Sequence, residues 1–308
     1  METNEFKDRA VTYAAIDIGS NAVRLLIKQL EDGLLPRFNK VLLLRVPLRL
    51  GFDVFSNGGS ISDRKRKDLV RLMKSYKQLM RIYDVSDYRA CATSAMRDAA
   101  NGRDIIREVR KKTGIDIEII DGQEEARMVY NNHIENMKGQ RGNFMYVDVG
   151  GGSTEINLLA DGELVCSRSY NIGTVRMLNS AVTDGEWRRF RSDMEDLAAS
   201  YPGINIIGSG GNINKLYKLV ERHDKRYPRM HTSSLQKLHD KLKNMSVRQR
   251  MEEYNLKPDR ADVIVPAGEI FLTIAAITGA VYIYVPVIGL SDGIIDGLYT
   301  RHMSRSDS

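Results

Sequence analysis

The apolar and polar residues in the first half of the chain follow two alternating periods. Short apolar runs, typical of buried strands, are separated by longer stretches in which apolar residues recur every three or four positions, as in an amphipathic helix. Leu69, Leu72, Met73 and Tyr76 show the helical spacing. The pattern predicts strands at 13–18, 22–30, 38–47, 87–92 and 115–120, and helices at 63–83, 95–112 and 123–137.

The second half begins with strands again. Its pattern predicts strands at 143–149, 154–160, 163–169, 203–208 and 281–286, helices at 174–182, 185–199, 212–222 and 261–279, and a last helix over 290–308. Polar helices are predicted within 231–255, although the Lys/Arg-rich sequence of 223–258 is equally compatible with loop. The apolar region from Val263 to Leu290 is interrupted by prolines, Glu269 and Gly279, so it predicts a buried helix followed by a strand rather than a membrane span.

One local pattern occurs twice. Asp17-Ile18-Gly19-Ser20-Asn21 and Asp148-Val149-Gly150-Gly151-Gly152-Ser153-Thr154-Glu155 each follow an apolar run and precede a second one. Each reads as a hairpin whose tight turn needs the freedom of glycine at positive φ. Such a turn exposes backbone N–H groups and hydroxyls that suit phosphate oxygens, and the Asp that ends each strand suits Mg²⁺ or its water shell.

Two such hairpins, each opening a strand-rich half, indicate a duplicated domain of the α/β class with a phosphate-binding cleft between the halves. The boundary is predicted near 122–142, with Gly139 to Gly142 as the clearest break, which gives domains 1–124 and 125–289. The pattern leaves open whether the helix 290–308 packs back on the first domain.

Composition places the chain among ordinary globular proteins. It has 308 residues, of which 42% are hydrophobic and 28% charged, a polar N-terminal segment without the apolar stretch of a secretory signal, and two cysteines without metal-ligand spacing. Cys91 and Cys166 are read as reduced core residues, and we expect a cytoplasmic protein without a membrane partner.

The net charge of +6 mildly favours a polyanionic partner. Basic residues cluster at 64–67, 110–112, 188–191 and 222–229. Each cluster taken alone reads first as a solvated helix face. The aromatic residues near them are too sparse for a platform that stacks bases, so sequence-specific binding of nucleic acid is not expected.

Several polar residues are placed to act on a bound phosphate. Glu125 lies in the first turn of a predicted helix and Glu155 directly after a glycine turn, so either could orient and deprotonate water, although compensation of a helix dipole or a surface position explains such residues equally well. Asp148 and Glu155 could hold Mg²⁺. Thr93, Ser94 and Arg97 lie at a strand-to-helix junction that could bind an anion, and Arg24 has the same potential role. The sequence contains no G-x-x-x-x-G-K-[ST] loop and no clustered histidines.

Together these motifs resemble the exopolyphosphatase/guanosine pentaphosphate phosphohydrolase (Ppx/GppA) family. The resemblance covers roughly Tyr13 to Tyr299 and rests on the following string: Asp17-x-Gly-Ser-Asn, Ala92-Thr-Ser-Ala-x-Arg97, Gly122-x-Glu-Glu125-Ala-Arg, Asp148-x-Gly-Gly-Gly-Ser-Thr-Glu155, Ile172-Gly-Thr-Val-Arg176, Gly208-x-Gly-Gly and Ser291-Asp-Gly293. It implies an α/β fold of two ribonuclease-H-like domains around an interdomain cleft, as in actin, sugar kinases and heat-shock chaperones. The chain looks like the short, two-domain form of the family.

The resemblance also implies roles for individual residues. Glu125 would be the catalytic base, Glu155 would assist it, and Asp17, Asp148 and Glu155 would surround the metal ion and the attacking water. The phosphate-binding groups would be Gly19, Ser20, Asn21, Arg24, Thr93, Ser94, Arg97, Gly150, Gly151, Gly152, Ser153, Thr154, Gly208, Gly210 and Gly211. The turn at Gly208–Asn212 departs from the Thr-rich form that we expect in the family.

The expected activity is Mg²⁺-dependent hydrolysis of the terminal phosphate of inorganic polyphosphate. Three alternatives stay open at this stage: hydrolysis of the 5′-phosphate of guanosine pentaphosphate (pppGpp) in the stringent response, transfer of phosphate from polyphosphate to a nucleotide, and a catalytically weak sensor that binds polyphosphate or guanosine tetra- or pentaphosphate. A homodimer is compatible with the sequence.

Overall fold

The computed structural model describes residues 11–31, 37–56, 58–137, 141–221, 227–286 and 289–306. Its first half contains β1 (Thr12–Ile18), β2 (Val23–Glu31), β3 (Arg37–Val46), α1 (Leu50–Val54), α2 (Asp63–Ile82), β4 (Asp87–Ala92), α3 (Ser94–Asp98), α4 (Gly102–Thr113) and β5 (Glu118–Ile119). The helix α5 (Gly122–Met137) then leads to the second half.

The second half contains β6 (Asn143–Val149), β7 (Thr154–Ala160), β8 (Glu163–Tyr170), α6 (Thr174–Leu178), α7 (Asp184–Ser200), β9 (Asn205–Ser209) and α8 (Gly210–Leu219). It continues with β10 (Arg229–His231), α9 (Thr232–Lys243), α10 (Val247–Tyr254), α11 (Pro258–Ala261), α12 (Ile264–Thr278), β11 (Tyr282–Tyr284) and α13 (Leu290–Ser306).

The two halves repeat one sheet topology. The first sheet has the strand order β3-β2-β1-β4-β5, and the second has the order β8-β7-β6-β9-β11 with β10 added at the far edge. In both, an antiparallel meander is followed by strands parallel to its first strand. The first hairpin pairs Ile18 with Val23 and the second pairs Val149 with Thr154, so both enclose turns of equal length. The duplication predicted from the repeated hairpin is thus present in the described residues.

Each sheet is covered by its own apolar core, and the last helix packs on the first sheet. Ile294, Ile295 and Leu298 of α13 lie in a buried cluster with Tyr13 and Leu26 of the first sheet. The chain therefore returns to the first half after completing the second, which brings Ser291 and Asp292 to the region between the halves. The domain limits at 124 and 289 stay a prediction, and residues 139 and 140 of the expected break lie outside the described residues.

Several predicted elements differ from the structure. The helix expected at 95–112 is interrupted, because Ala99 is extended and the side chain of Asn101 exchanges hydrogen bonds with the backbone of Ile61. The strand expected at 115–120 shortens to β5, α1 was not predicted, and the uncertain region 223–258 forms β10, α9, α10 and the start of α11 in its described part. Residue 222, the expected end of a helix, and residues 223–226 lie outside the described residues.

The apolar region from 263 to 290 is mainly a core helix. By length and composition alone Pro258–Thr278 could cross a membrane, but 56% of its most apolar window is buried in the protein. Ile270, Phe271 and Ile274 of α12 lie fully within the second core. Both cysteines are free; Cys91 is buried, and Cys166 is partly buried and packs against the second core.

Candidate active site

The two repeated turns have the same hydrogen bonding. The Gly19 amide donates to the Ala22 carbonyl (3.1 Å) and the Gly150 amide to the Ser153 carbonyl (2.9 Å). Behind each turn, a short helix begins by donating to the turn carbonyls: Gly51 donates to Ser20, and Thr174 donates to Gly150. These carbonyl oxygens therefore accept hydrogen bonds from the short helices behind the turns. This favours anion binding on the opposite side of each turn, because the negative end of the carbonyl dipole is already paired.

The glycines of the second turn are required by close packing and not by backbone conformation. Gly19 and Gly150 to Gly152 are absent from the glycines that have positive φ, so the expectation that these turns need that region was wrong. A Cβ on Gly152 would lie 2.3 Å from the Ser94 Oγ and 2.7 Å from the Ser20 Oγ. The second turn thus presses against the first turn and against the start of α3, which fixes the two halves edge to edge.

A cavity of about 250 Å³ opens between the two turns. Of the predicted phosphate-binding residues, those in its lining are Gly19, Ser20, Asn21, Arg24, Thr93, Ser94, Gly150, Gly151, Ser153, Gly210 and Gly211. All four predicted carboxylates, Asp17, Glu125, Asp148 and Glu155, line it as well. These predicted residues come from several segments between Asp17 and Gly211, and the fold brings them together at one cavity.

Four predicted phosphate-binding residues take other positions. Gly152 is covered by the first turn, and the Thr154 hydroxyl donates to the Ile172 carbonyl (2.6 Å) in the core. Gly208 faces Ile213 and Phe271. The Arg97 guanidinium donates to the Ile120 carbonyl (2.8 Å) behind the cavity.

Three of the four carboxylates lie at equivalent ends of the two sheets, and the fourth, Glu125, lies on α5. Asp17 and Asp148 are the second-to-last residues of β1 and β6, and Asp148 stands opposite Glu155 of β7 in the strand register. Asp17 accepts a hydrogen bond from Arg24 (2.5 Å) and Glu155 accepts one from the Ser169 hydroxyl (2.9 Å). Glu125 extends from the first turn of α5 and is 8% exposed, and its Oε2 atom has no hydrogen-bond partner among the described residues.

Burial and mutual repulsion change the acidity of this group. The pKa of Glu125 is raised well above its usual value, mainly by burial and then by Glu155 and Asp148. Burial, offset by Arg24, raises the pKa of Asp148 to about 6, and burial also raises the pKa of Glu155. A carboxyl group with a raised pKa can hold a proton near neutral pH, as a general base must after it has taken one from water.

The same carboxylates suit a divalent cation only in combination with a ligand. Among the described residues, no group of three or more His, Cys, Asp or Glu side chains is arranged to hold a metal ion by itself. Asp17 is already paired with Arg24, so Asp148 and Glu155 are the available oxygen donors. Mg²⁺ is commonly held by one or two carboxylates together with substrate phosphates and water, and the residues present fit that form of binding.

A wall of cations faces the carboxylates, and sequence reasoning had identified only Arg24 among its members. Lys40, Arg45 and Arg260 line the cavity together with Arg24. Arg24 and Arg45 stand directly opposite each other on β2 and β3, an unfavourable arrangement of like charges that Asp17 and Asp259 each offset by pairing with one of them. The two arginines in one cross-strand position were the available signal in the sequence.

Arg260 is the cation of this wall best suited to an external anion. Its guanidinium donates to the Asn212 side-chain oxygen (2.6 Å), a neutral partner. Burial, followed by the nearby charges of Arg45 and Arg24, lowers the pKa of Arg260 to about 9. An anion bound beside Arg260 would relieve this repulsion.

The basic clusters noted in the sequence lie away from the cavity lining. Lys65 pairs with Asp53 (2.6 Å), Arg66 with Glu108 (3.4 Å), and Lys112 with Glu108 (2.5 Å). Arg189 borders a separate depression next to β8, and residues 222–226 of the last cluster lie outside the described residues. Because Lys65, Arg66 and Lys112 are paired with carboxylates, the described residues of these clusters form only part of a continuous surface track for a long polyanion.

The duplicated α/β fold, with paired turns, carboxylates and guanidinium groups around one cleft, defines a ribonuclease-H-like protein of two similar halves. Residues 26–302 match the profile of the Ppx/GppA phosphatase family, and the chain belongs to this family. The predicted family and fold class are therefore confirmed.

Curated relatives carry the names of both activities. The chain is 28% identical over 276 residues to Exopolyphosphatase 2 of Mycobacterium tuberculosis, covering 82% of this chain and 86% of the relative. It is 27% identical over 199 residues to Exopolyphosphatase 1 of that species (63% and 57%), and 27% over 220 residues to the guanosine-5′-triphosphate,3′-diphosphate pyrophosphatase of Aeromonas hydrophila (68% and 43%). The chain thus spans about half the length of the last two.

Solved structures agree over nearly the whole chain. A Ppx/GppA family member from Aquifex aeolicus aligns with a TM-score of 0.75 at 27% identity, over 95% of this chain and 98% of that structure. An exopolyphosphatase from Cytophaga hutchinsonii aligns with a TM-score of 0.79 at 20% identity, over 93% and 97%, and shows the shared fold.

Proposed function

We propose that the chain is an exopolyphosphatase, a hydrolase that removes the terminal phosphate of inorganic polyphosphate with Mg²⁺ as cofactor. The observation that carries the proposal is the Glu125 carboxyl group. It is buried, its pKa is raised, its Oε2 atom has no hydrogen-bond partner among the described residues, and Glu125 lines the cavity that both glycine turns line. Curated relatives named exopolyphosphatase support the same class of substrate.

In the proposed reaction the two turns hold the terminal phosphoryl group between the halves. Glu125 accepts a proton from a water molecule, whose oxygen attacks the terminal phosphorus. The bond from that phosphorus to the bridging oxygen breaks, so orthophosphate and a chain shorter by one phosphate are formed. Mg²⁺, held by Asp148, Glu155 and the phosphates, would neutralise charge on the transferred group.

The cationic wall would hold the part of the chain that is not cleaved. Arg260, Arg45 and Lys40 line the cavity on the side of β3 and α11, and repeated phosphates could pair with each of them in turn. The side chain of Asn21 donates to the Asp259 carbonyl (3.0 Å), so the first turn and the cationic wall are joined across the cleft.

A second candidate is hydrolysis of pppGpp. Leu43 lines the cavity and is 52% exposed beside Lys40. An apolar side chain at the mouth of a phosphate site suits the face of a nucleobase better than it suits a phosphate chain. The relative from Aeromonas hydrophila bears a name for this activity.

The purified chain should be assayed for orthophosphate release from long-chain polyphosphate, tripolyphosphate and pppGpp, with Mg²⁺ and with EDTA. We expect Mg²⁺-dependent release from long-chain polyphosphate, with products shortened from the end. Hydrolysis of pppGpp alone would reject polyphosphate as the substrate in favour of the second candidate. Binding without hydrolysis of any substrate would instead identify a sensor.

A further inference from the structure

The short helix α11 of the second half contacts the first half beside the cavity. Asp259 of this helix is buried, and its carboxylate pairs with Arg45 of β3. The Asp259 carbonyl accepts a hydrogen bond from the Asn21 side chain (3.0 Å), at the end of the first glycine turn. Arg260 is the next residue along the chain. Asn21, Arg45 and Arg260 all line the cavity, so Asp259 is joined to three lining residues without belonging to the lining itself.

The Arg45 guanidinium depends on Asp259 for its position. Among the described residues Asp259 is its one hydrogen-bonding and ion-pairing partner, and the Arg45 Nε and Nη2 atoms have none. Burial lowers the pKa of Arg45 and the pairing with Asp259 raises it, while the charges of Arg24 and Arg49 lower it further. Without the Asp259 carboxylate, repulsion from these two guanidinium groups would favour movement of Arg45 away from the cavity.

Asp259 is itself held by the second half. The Ala261 amide donates to the Lys257 carbonyl (2.9 Å), which closes the turn of α11. The Arg250 guanidinium donates to the Ala261 carbonyl (2.9 Å) and fixes this turn from α10. The second half therefore sets the position of the carboxylate, whereas the guanidinium that it holds belongs to the first half.

A second ion pair from the same segment provides a comparison. Asp262 pairs with Arg49 and also joins the two halves, but neither residue is part of the cavity lining. The Arg49 guanidinium also stacks on the Phe52 ring, 3.8 Å from its centroid. Arg49 thus has a second contact that keeps it in place, and Arg45 has no such contact among the described residues.

We propose that Asp259 is a positioning residue that holds Arg45 at the cavity, so that the grip on a phosphate chain depends on contact between the two halves. A guanidinium that is already held in place loses less conformational freedom when it binds a phosphate oxygen. The proposal rests on the proposed function, since it takes the ligand of the cavity to be a chain of phosphates.

Removal of the Asp259 carboxylate has two opposing effects on a polyanion. The loss of one negative charge favours binding, whereas the loss of the hold on Arg45 weakens it. Asp259→Asn and Asp262→Asn both remove one negative charge from the same segment. Only Asp259→Asn also releases a guanidinium of the cavity lining, so Asp262→Asn is the matched control.

The test is the affinity for tripolyphosphate, measured by isothermal titration calorimetry in EDTA, where the proposed Mg²⁺-dependent hydrolysis does not proceed. We expect Asp259→Asn to raise the Kd by about threefold to tenfold, because an ion pair becomes a hydrogen bond to a neutral amide. Asp262→Asn should leave the Kd unchanged or lower it. With Mg²⁺, the KM for tripolyphosphate should rise in Asp259→Asn while kcat stays near the wild-type value.

A double variant separates positioning of Arg45 from a general loss of structure. In an Arg45→Gln background no guanidinium is left to position, so adding Asp259→Asn should leave the Kd unchanged. A purely structural role would instead lower the urea midpoint of Asp259→Asn while its Kd and KM stay at the wild-type values.

A Kd that does not rise in Asp259→Asn, or rises equally in Asp262→Asn, would overturn the positioning role. So would an effect of Asp259→Asn that persists in the Arg45→Gln background, or a wild type that binds no tripolyphosphate. A wild type that binds tripolyphosphate with the expected differences between variants, but releases no orthophosphate from polyphosphate with Mg²⁺, would overturn the proposed function alone.

Discussion

Replacing Asp148 with Asn should stabilise the metal-free protein, and more so as the pH rises. The buried Asp148 has a pKa of about 6 against a usual value near 3.8, because burial outweighs the attraction of Arg24. The folded state therefore holds this proton more tightly than the unfolded chain does. This tighter proton binding stabilises the folded state fully when the pH is below the Asp148 pKa of the unfolded chain. The stabilisation is lost as the pH rises through about 6, the pKa in the folded state. The difference between these two pKa values corresponds to at most about 3 kcal/mol.

About 1.4 kcal/mol of this loss of stability should appear between pH 5.0 and 7.5. The free energy of unfolding falls by this amount over the one pH unit that separates pH 5.0 from the folded pKa of about 6. Urea denaturation of the wild type and of Asp148→Asn at both pH values, in EDTA, measures the change. Loss of the Asp148 charge also eases ionisation of Glu125, which acts in the same direction. Glu253→Gln, at an exposed position, is the control. A stability difference that is independent of pH, or an Asn variant that is less stable at pH 7.5, would refute the reasoning.

Three further results are expected. Glu155→Gln should raise the Mg²⁺ concentration needed for half-maximal activity, and an unchanged Mg²⁺ titration would mean that substrate phosphates hold the ion alone. The KM for long-chain polyphosphate should rise more steeply with salt than the KM for tripolyphosphate, because a longer polyanion engages more cations; parallel salt slopes would exclude an extended track. Gly152→Ala should lower the free energy of unfolding by about 1–3 kcal/mol because its Cβ would meet Ser94 and Ser20. Gly185→Ala in α7 should not, because its Cβ would lie at an ordinary contact distance, 3.8 Å from Thr183 Oγ1; equal effects of the two substitutions in urea denaturation would reject the close packing of the two turns.

The repeated hairpins could be predicted because their information is local. The apolar strand, the terminal Asp and the small residues of the turn lie within about ten positions, and the turn hydrogen bonds at Gly19 and Gly150 repeat in both halves. Glu125 and Glu155 could be predicted as candidates from their position beside these elements. Their burial, and the unpartnered oxygen of Glu125, come from packing of the two halves and are not readable from the sequence.

The complete cationic wall could not be predicted, because Arg260 and Asp259 are distant in the chain from the arginines of β2 and β3. Arg45 and its partner Asp259 are 214 residues apart, and neither lies in a phosphate-type motif. The broken helix at 99–101 has a similar cause, since Asn101 bonds to Ile61, which is 40 residues away. The turn glycines were predicted for the wrong reason. Their local sequence is equally compatible with positive φ and with close approach, and only the tertiary contact with Ser20 and Ser94 distinguishes the two.

The central claim, that Glu125 activates water, is tested most directly by comparing Glu125→Gln with Glu124→Gln. The two neighbours begin the same helix, but Glu124 is 43% exposed and pairs with Arg89 (2.7 Å) outside the cavity. Orthophosphate release from long-chain polyphosphate at saturating substrate and Mg²⁺ is the measurement. Turnover should be lower by about 10²–10⁴-fold for Glu125→Gln, the usual contribution of a positioned general base, and near the wild-type value for Glu124→Gln. Equal turnover of the two variants would contradict it.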